Sequence, residues 1–308
     1  MMYDLCIVGG GPAGVAAGVY AARKRLKTVF IAGAIGGQST DSIEIQNWIG
    51  TEKISGEELG HSLERHLRAY AEDIVEIHEG EFARSVERAQ GGFSVMTDKG
   101  TYEARAVLVA TGGMRRKLDV PGAAEFEHKG LTYCASCDGP LFAGQDVVVV
   151  GGGNAGFESA SQLLAYCKTV TLVHRGESFS KADESTVRVV TAHPNMKALP
   201  NTEPVRVVGK QFVEGIVVKN RKTGDETTLP AAGIFVEIGM MPSTDYLKDV
   251  VERDEAGRIV IDPKNQRTST EGIWAAGDAT NGLYHQNNIA AGDAVKALED
   301  IYYWLKTK

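Results

Sequence analysis

The chain has 308 residues, 43% hydrophobic and 24% charged, with 33 Lys and Arg against 40 Asp and Glu for a formal charge of −7. That length argues for two domains, the balance supports a packed core rather than a disordered or fibrous chain, and the acidic excess argues against nucleic-acid binding. Glycine fills 36 positions, above the average of roughly 7%, and the 4 cysteines are too few for a disulfide scaffold.

The N-terminus runs from Met1-Met2-Tyr3-Asp4 into the apolar Leu5–Val8 without the order of a signal peptide. No stretch approaches the ~20 apolar residues that a spanning helix needs, so a cytoplasmic protein with no membrane segment is expected. Tyr3–Val8 reads as a buried strand, followed by GGGPAG (Gly9–Gly14), a helix of small residues through Ala22, and a strand at Thr28–Ala32. Leu59, Leu63 and Leu67 recur at helical spacing, which predicts an amphipathic helix over Glu57–Asp73. Alternation from Glu81 to Glu103, broken at Gly91-Gly92, predicts a hairpin. Ala106–Ala110 reads as another buried strand, ending in Thr111-Gly112-Gly113.

Beyond Pro121 the pattern restarts with a strand at Asp146–Val150, GGGNAG (Gly151–Gly156), a helix to about Tyr166 and a strand at Thr169–His174. Strands near Gly233–Ile238 and Ile273–Ala276, the second running into Gly277-Asp278, precede a closing helix over about Ala291–Leu305. This alternation predicts an α/β fold of two three-layer, Rossmann-like dinucleotide-binding domains, the second inserted into the first. Residues 1–113 and 243–308 would form the discontinuous domain and 114–242 the inserted one. The turns near Gly113–Arg116 and Met240–Ser243 are candidate hinges.

Gly9, Gly11 and Gly14, and again Gly151, Gly153 and Gly156, fit G-x-G-x-x-G between a strand and a helix. The first glycine permits the tight turn, the second lets a pyrophosphate approach the backbone, and the third lets helix and strand pack closely. Pro12, Ala13, Asn154 and Ala155 belong to these loops and the helix starts they lead into, where free N–H groups attract phosphates. The acidic residue that usually holds a ribose about 20 residues on is missing from both units. They end in Ile31-Ala32-Gly33 and Val173-His174-Arg175, so adenosine recognition departs from the simplest NAD pattern.

Cys134-Ala135-Ser136-Cys137-Asp138 lies just before the second unit. A C-x-x-C spacing suits dithiol–disulfide exchange, and half of a zinc site is its rival. Cys6 falls in a core strand and Cys167 at a helix end as a partly buried thiol, not in a second pair, so no metal is expected. Asp138 either favours a helix N-terminus or relays a proton to a departing thiolate, and the residues alone leave both readings open. His61 and His66 miss the spacing of two ligands on one helix face. Trp48, Trp274 and Trp304 read as packing, and Arg115-Arg116-Lys117 as a solvated run.

Taken together, GGGPAG, Gly36-Gly37-Gln38, Ala110–Gly113, CASCDGPLF (Cys134–Phe142), GGGNAG and AAGDAT (Ala275–Thr280) resemble low-molecular-weight thioredoxin reductases, a class of pyridine nucleotide-disulfide oxidoreductase. The resemblance implies a homodimer with FAD in the discontinuous domain and NAD(P)H in the inserted one. It places Gly9, Gly11, Pro12, Ala13 and Gly14 on FAD, Gly37, Gln38 and Asn47 near the flavin, and Ala110, Thr111 and Gly112 at the same cofactor. Asp278 would hold the ribityl chain and Gln286 would lie near the isoalloxazine, with Gly277 and Asn287 also binding the cofactor. Gly151, Gly153, Asn154, Ala155, Gly156, His174 and Arg175 would take the coenzyme. Cys137 corresponds to the sulfur facing the flavin, Cys134 to the one that attacks a thioredoxin-like protein disulfide, and Asp138 to the acid. The family also implies rotation of the inserted domain.

Members that use NADPH carry His-Arg-Arg and a further arginine, whereas here Gly176 and Ser180 replace two of these, which weakens any clamp on a 2′-phosphate. NADPH is expected first by family weight, then NADH, then a protein donor such as ferredoxin. CDGPLF also resembles the NADH-using flavoprotein of alkyl hydroperoxide reductase, whose extra N-terminal dithiol domain is expected to be absent here. A reductase of a peroxiredoxin-system partner is therefore an alternative, and a non-catalytic redox or nucleotide sensor is another.

Overall fold

Successive side chains of a strand point opposite ways, and Asp146–Val150 is covered on both faces. Val148 and Val150 pack with Leu131, Val207, Ile216 and Ile234. Val147 and Val149 pack with Phe157, Leu163 and Phe235. A strand covered twice belongs inside a parallel sheet. The computed structural model, which describes residues 1–42, 44–247 and 249–308, places it there. The chain divides into two units: Met1–Ser42, Trp48–Met114 and Met241–Lys308 form one, and Arg115–Met240 with Ile43–Asn47 the other.

In the second unit the parallel sheet runs in the order Met196–Leu199, Thr169–Val173, Asp146–Val150, Gly233–Val236, Leu131–Thr132. The helices Asn154–Leu163 and Glu184–Thr191 cover one face, and the antiparallel sheet Thr202–Gly209, Val213–Asn220, Glu226–Pro230 covers the other. In the first unit the order is Val75–Glu79, Thr28–Ala32, Met2–Val8, Thr101–Val109, Gly92–Thr97, Ala83–Ala89, with Ile273–Ala275 also beside Thr101–Val109. Leu5 stands between Thr28 and Ala106 in parallel register. Small residues let the helix Pro12–Arg23 pack tightly, since a Cβ on Gly18 would come within 2.6 Å of Leu67 on the helix Gly56–Ala71. Both units are thus α/β, with Rossmann-like parallel sheets around their first strands. Among the described residues no helix is long and apolar enough to cross a membrane.

Several elements differ from expectation. Thr101–Val109 is one strand where the alternation suggests a hairpin arm and a separate buried strand; its first half pairs antiparallel with Gly92–Thr97 and its second half parallel with Ile273–Ala275. The last helix is longer, Asn287–Thr307, and the one after the second loop shorter, Asn154–Leu163. The helix Glu184–Thr191 and the antiparallel sheet carry no expectation at all.

Candidate redox and nucleotide site

In both glycine loops the protein itself demands the outer two glycines. Gly9 has φ +121° and Gly151 φ +131°. A Cβ on them would run into the Ala110 and Glu237 carbonyls, and a Cβ on Gly14 or Gly156 into the Gly9 or Gly151 carbonyl. The middle glycines differ, for a Cβ on Gly11 would find nothing nearer than the Gly37 Cα at 3.9 Å, and one on Gly153 nothing within 4 Å. No protein atom excludes a side chain there, so each is a cradle that a Cβ would fill and a pyrophosphate could use. The helices that follow carry no capping side chain and no acid in the first turn. By contrast, Ser55 and Asp183 cap the next helices and Glu57, Glu58 and Glu184 follow them. The two uncapped ends therefore keep N–H groups available to an anion.

Around the first cradle the structure gathers Gly9, Gly11, Pro12, Ala13, Gly14, Gly37, Ala110 and Gly277. A Cβ on Gly37 would sit 2.9 Å from the Gly11 Cα, and one on Gly277 3.4 Å from the Ala13 Cβ. Gln38 donates to the Gly113 carbonyl, Thr111 to the Ser243 carbonyl at 2.7 Å, and Ser39 to Asn287 Oδ1 at 3.1 Å. Gly112 and Gly277 take positive φ, Asp278 lies 3.4 Å from His285 Nδ1, and Gln286 is the N-cap residue of the last helix. Asn47 belongs to a segment that groups with the second unit. The residues that gather here fit a dinucleotide such as FAD.

At the second cradle Asn154 and Ala155 open the helix, and Asn154 Oδ1 accepts the Asp183 N–H at 2.7 Å. The His174 ring fills the space over Gly152 and Gly176: a Cβ on either would lie 2.5 Å from a ring atom. Burial holds its pKa below the ordinary histidine value. Arg175 is exposed and its carbonyl accepts from Arg221 at 3.0 Å, while Glu177 pairs with Lys222 at 3.0 Å.

Cys134 and Cys137 form a disulfide with Cα atoms 5.3 Å apart. Cys134 is the N-cap of the short helix Ala135–Asp138, and its Sγ accepts the Cys137 N–H at 3.2 Å. Burial pushes the Asp138 carboxyl above the usual carboxylate range, against the opposing pull of the Thr132 hydroxyl, His128 and Arg115. Its Oδ1 is buried without a hydrogen-bond partner among the described residues. Cys6 and Cys167 are free thiols, both buried. Cys167 is more enclosed than the sequence suggests (5% exposed), because the Phe142 carbonyl accepts its S–H inside the core around Leu163. No cluster of three or more His, Cys, Asp or Glu able to hold a metal occurs among the described residues.

Three contributors escape the sequence. Ser136, between the cysteines, donates to Gln162 Oε1 at 2.9 Å on the helix of the second cradle. Arg115, read as solvated, is half-buried, and its charge bears on both Asp138 and Glu237. Glu237 is itself such a contributor, half-buried and accepting from the Ser159 hydroxyl at 2.7 Å. The only signal for it is an acid inside the apolar run Ile234–Ile238.

A family model for pyridine nucleotide-disulphide oxidoreductases matches residues 3–294. The chain is 37% identical over 295 residues to an NADH dehydrogenase of Bacillus subtilis, covering 96% of this chain and 57% of that one. It is 38% identical over 309 residues to the F protein of the alkyl hydroperoxide reductase of Escherichia coli, covering 99% and 59%. It therefore spans little more than half the length of these curated relatives. Among solved structures, thioredoxin reductase from Streptococcus pyogenes matches with a TM-score of 0.90 at 35% identity, covering 100% of this chain and 99% of that one.

Proposed function

This chain belongs to the pyridine nucleotide-disulphide oxidoreductases, and we propose that it reduces the disulfide of a thioredoxin-like protein with electrons from a reduced nicotinamide coenzyme. The observation that carries this reading is the Cys134–Cys137 disulfide beside a buried Asp138 carboxyl with an unpartnered oxygen, a combination that neither a sensor nor a zinc module needs. In this reading residues 1–113 and 243–308 bind FAD, 114–242 bind the coenzyme, and two copies act together. FAD held at the first cradle would supply a carrier able to accept two electrons as hydride and deliver them to a disulfide.

Two electrons and one proton convert the Cys134–Cys137 bond into a thiolate and a thiol. The Cys137 N–H at Cys134 Sγ favours the negative charge on Cys134. That thiolate attacks one sulfur of the partner disulfide, a mixed disulfide forms, and the other partner sulfur leaves with a proton from Asp138. Asp138 then takes the Cys137 proton, Cys137 attacks Cys134 Sγ, and the second partner sulfur leaves with that proton returned from Asp138, so the partner departs as a dithiol while the Cys134–Cys137 bond closes and Asp138 is reprotonated from solvent.

For the coenzyme the proposal favours NADH over the NADPH that the resemblance alone implies. A second arginine in place of Gly176 would meet the His174 ring, and Glu177 puts a carboxylate where a 2′-phosphate would need cations. The relative named NADH dehydrogenase supports the same choice. A second reading, favoured by the likeness to the alkyl hydroperoxide reductase protein, makes the acceptor a dithiol protein of a peroxide-reducing system. Anaerobic titration tests the coenzyme: NADH should bleach the flavin absorbance near stoichiometrically and NADPH only at large excess. Bleaching by neither removes the nicotinamide step.

A further inference from the structure

Glu237 stands just beyond the carboxyl end of Gly233–Val236, the strand that flanks Asp146–Val150 on one side; Thr169–Val173 flanks it on the other. Ligands of open α/β sheets sit where connections diverge to either side of such a central strand. His174 and Arg175 end the strand on one side of that crevice, and Glu237 ends the strand on the opposite side. Its N–H donates to the Val150 carbonyl at 2.8 Å and its own carbonyl lies against Gly151, so its backbone forms a wall of the cradle.

Its side chain is a costly choice for a wall. The side chain is half-buried, and the desolvation pushes its pKa up, with Arg115 and the Ser159 hydroxyl opposing that rise and Glu158 adding to it. The Ser159 hydrogen bond at 2.7 Å fills one of about four acceptor positions on a carboxylate. One neutral hydroxyl compensates poorly for partly desolvating such a group. A carboxylate also repels phosphates, so it serves donors, and the donors of a nicotinamide dinucleotide beyond its pyrophosphate are ribose hydroxyls and the ring carboxamide.

We infer that the Glu237 carboxyl, braced by Ser159, is a binding residue for the nicotinamide half of the coenzyme, accepting hydrogen bonds from its ribose hydroxyls or carboxamide. The inference rests on the proposed nucleotide role of the second cradle. Calorimetric titration of the FAD-loaded protein with ADP, which lacks that half, and with NAD⁺ tests it. In Glu237→Ala the NAD⁺ dissociation constant should rise at least fivefold while that of ADP stays within twofold. Glu237→Gln, whose amide oxygen still accepts, should fall between. Ser159→Ala, which frees the carboxyl without removing it, should weaken NAD⁺ about twofold and ADP not at all, and it serves if Glu237→Ala melts early. 3-Acetylpyridine adenine dinucleotide, without the amide donors, separates the two sources: a smaller loss in Glu237→Ala assigns the carboxamide, and an undiminished loss the ribose. Equal weakening of NAD⁺ and ADP, or of neither, overturns the inference. Binding of neither nucleotide by the wild type would overturn the nucleotide reading of the cradle and this inference with it.

Discussion

The two glycine loops share one motif and the same two backbone clashes, yet differ in what covers them. At the first, Ala13 is buried against Gly277, and the Gly37 corner rests on Gly11. At the second, Asn154 and Ala155 are exposed, and the walls are the Glu237 backbone and the His174 ring. A G-x-G-x-x-G loop thus specifies a pyrophosphate cradle, and the elements around it determine how readily a ligand leaves. A covered cradle suits FAD, which stays through many turnovers; an open one suits a coenzyme that departs after each.

The sharpest way to break this comparison is at the middle glycines. Gly11→Val should give a colourless protein that fails to retain FAD, whereas Gly153→Val should stay yellow and bind NADH at least roughly tenfold more weakly, about 1.4 kcal/mol. Neither position has protein in the way of a Cβ, so compared without bound cofactors both variants should melt close to the wild type. If Gly153→Val also loses flavin, the assignment of the loops is wrong. Asp138→Asn sharpens the chemistry beside the open cradle: turnover of the protein disulfide should fall ~10²–10⁴-fold while anaerobic flavin reduction by NADH is unchanged.

The same substitution has a pH signature. Burial raises the Asp138 pKa, so the folded state holds that proton more tightly than the unfolded one. Its favourable contribution is full below the ordinary aspartate pKa of ~3.9 and is lost as pH rises through the folded value. Oxidised Asp138→Asn should therefore melt higher than wild type at neutral pH, and the difference should vanish near pH 4 in melting curves; a constant offset would show that burial does not set this pKa. Next in size, Gly156→Ala should cost ~1–3 kcal/mol in denaturant unfolding, because its Cβ would strike the Gly151 carbonyl. Smallest, Arg175→Ala removes an exposed charge and should change the KM for NADH less than about threefold, in line with the ~0–1 kcal/mol worth of surface pairs. A larger loss would mean that Arg175 grips the coenzyme directly.

The glycine loops and the C-x-x-C-D segment were legible because their chemistry is local: a turn, a helix start and two sulfurs within four residues. Glu237 was not, because inside Ile234–Ile238 it looks like one more strand residue until pairing with Val150 brings it beside Gly151. Arg115 shows the same limit, since a basic run gives no hint that the charge of its first member will bear on both Asp138 and Glu237. The sheet of Thr202–Pro230 escaped for another reason. Its outer strand Glu226–Pro230 is largely exposed and carries no apolar alternation to read. Burial favours the protonated form of Asp138, which supports the proposed proton relay over a role limited to the helix N-terminus.

Electron counting tests the central claim most directly. Anaerobic titration of the FAD-loaded protein with dithionite should take up four electrons per chain, two for the flavin and two for the Cys134–Cys137 disulfide. The Cys134→Ser/Cys137→Ser double variant should take up two. Equal uptake by both proteins would show that no electrons reach the sulfurs and would contradict the account.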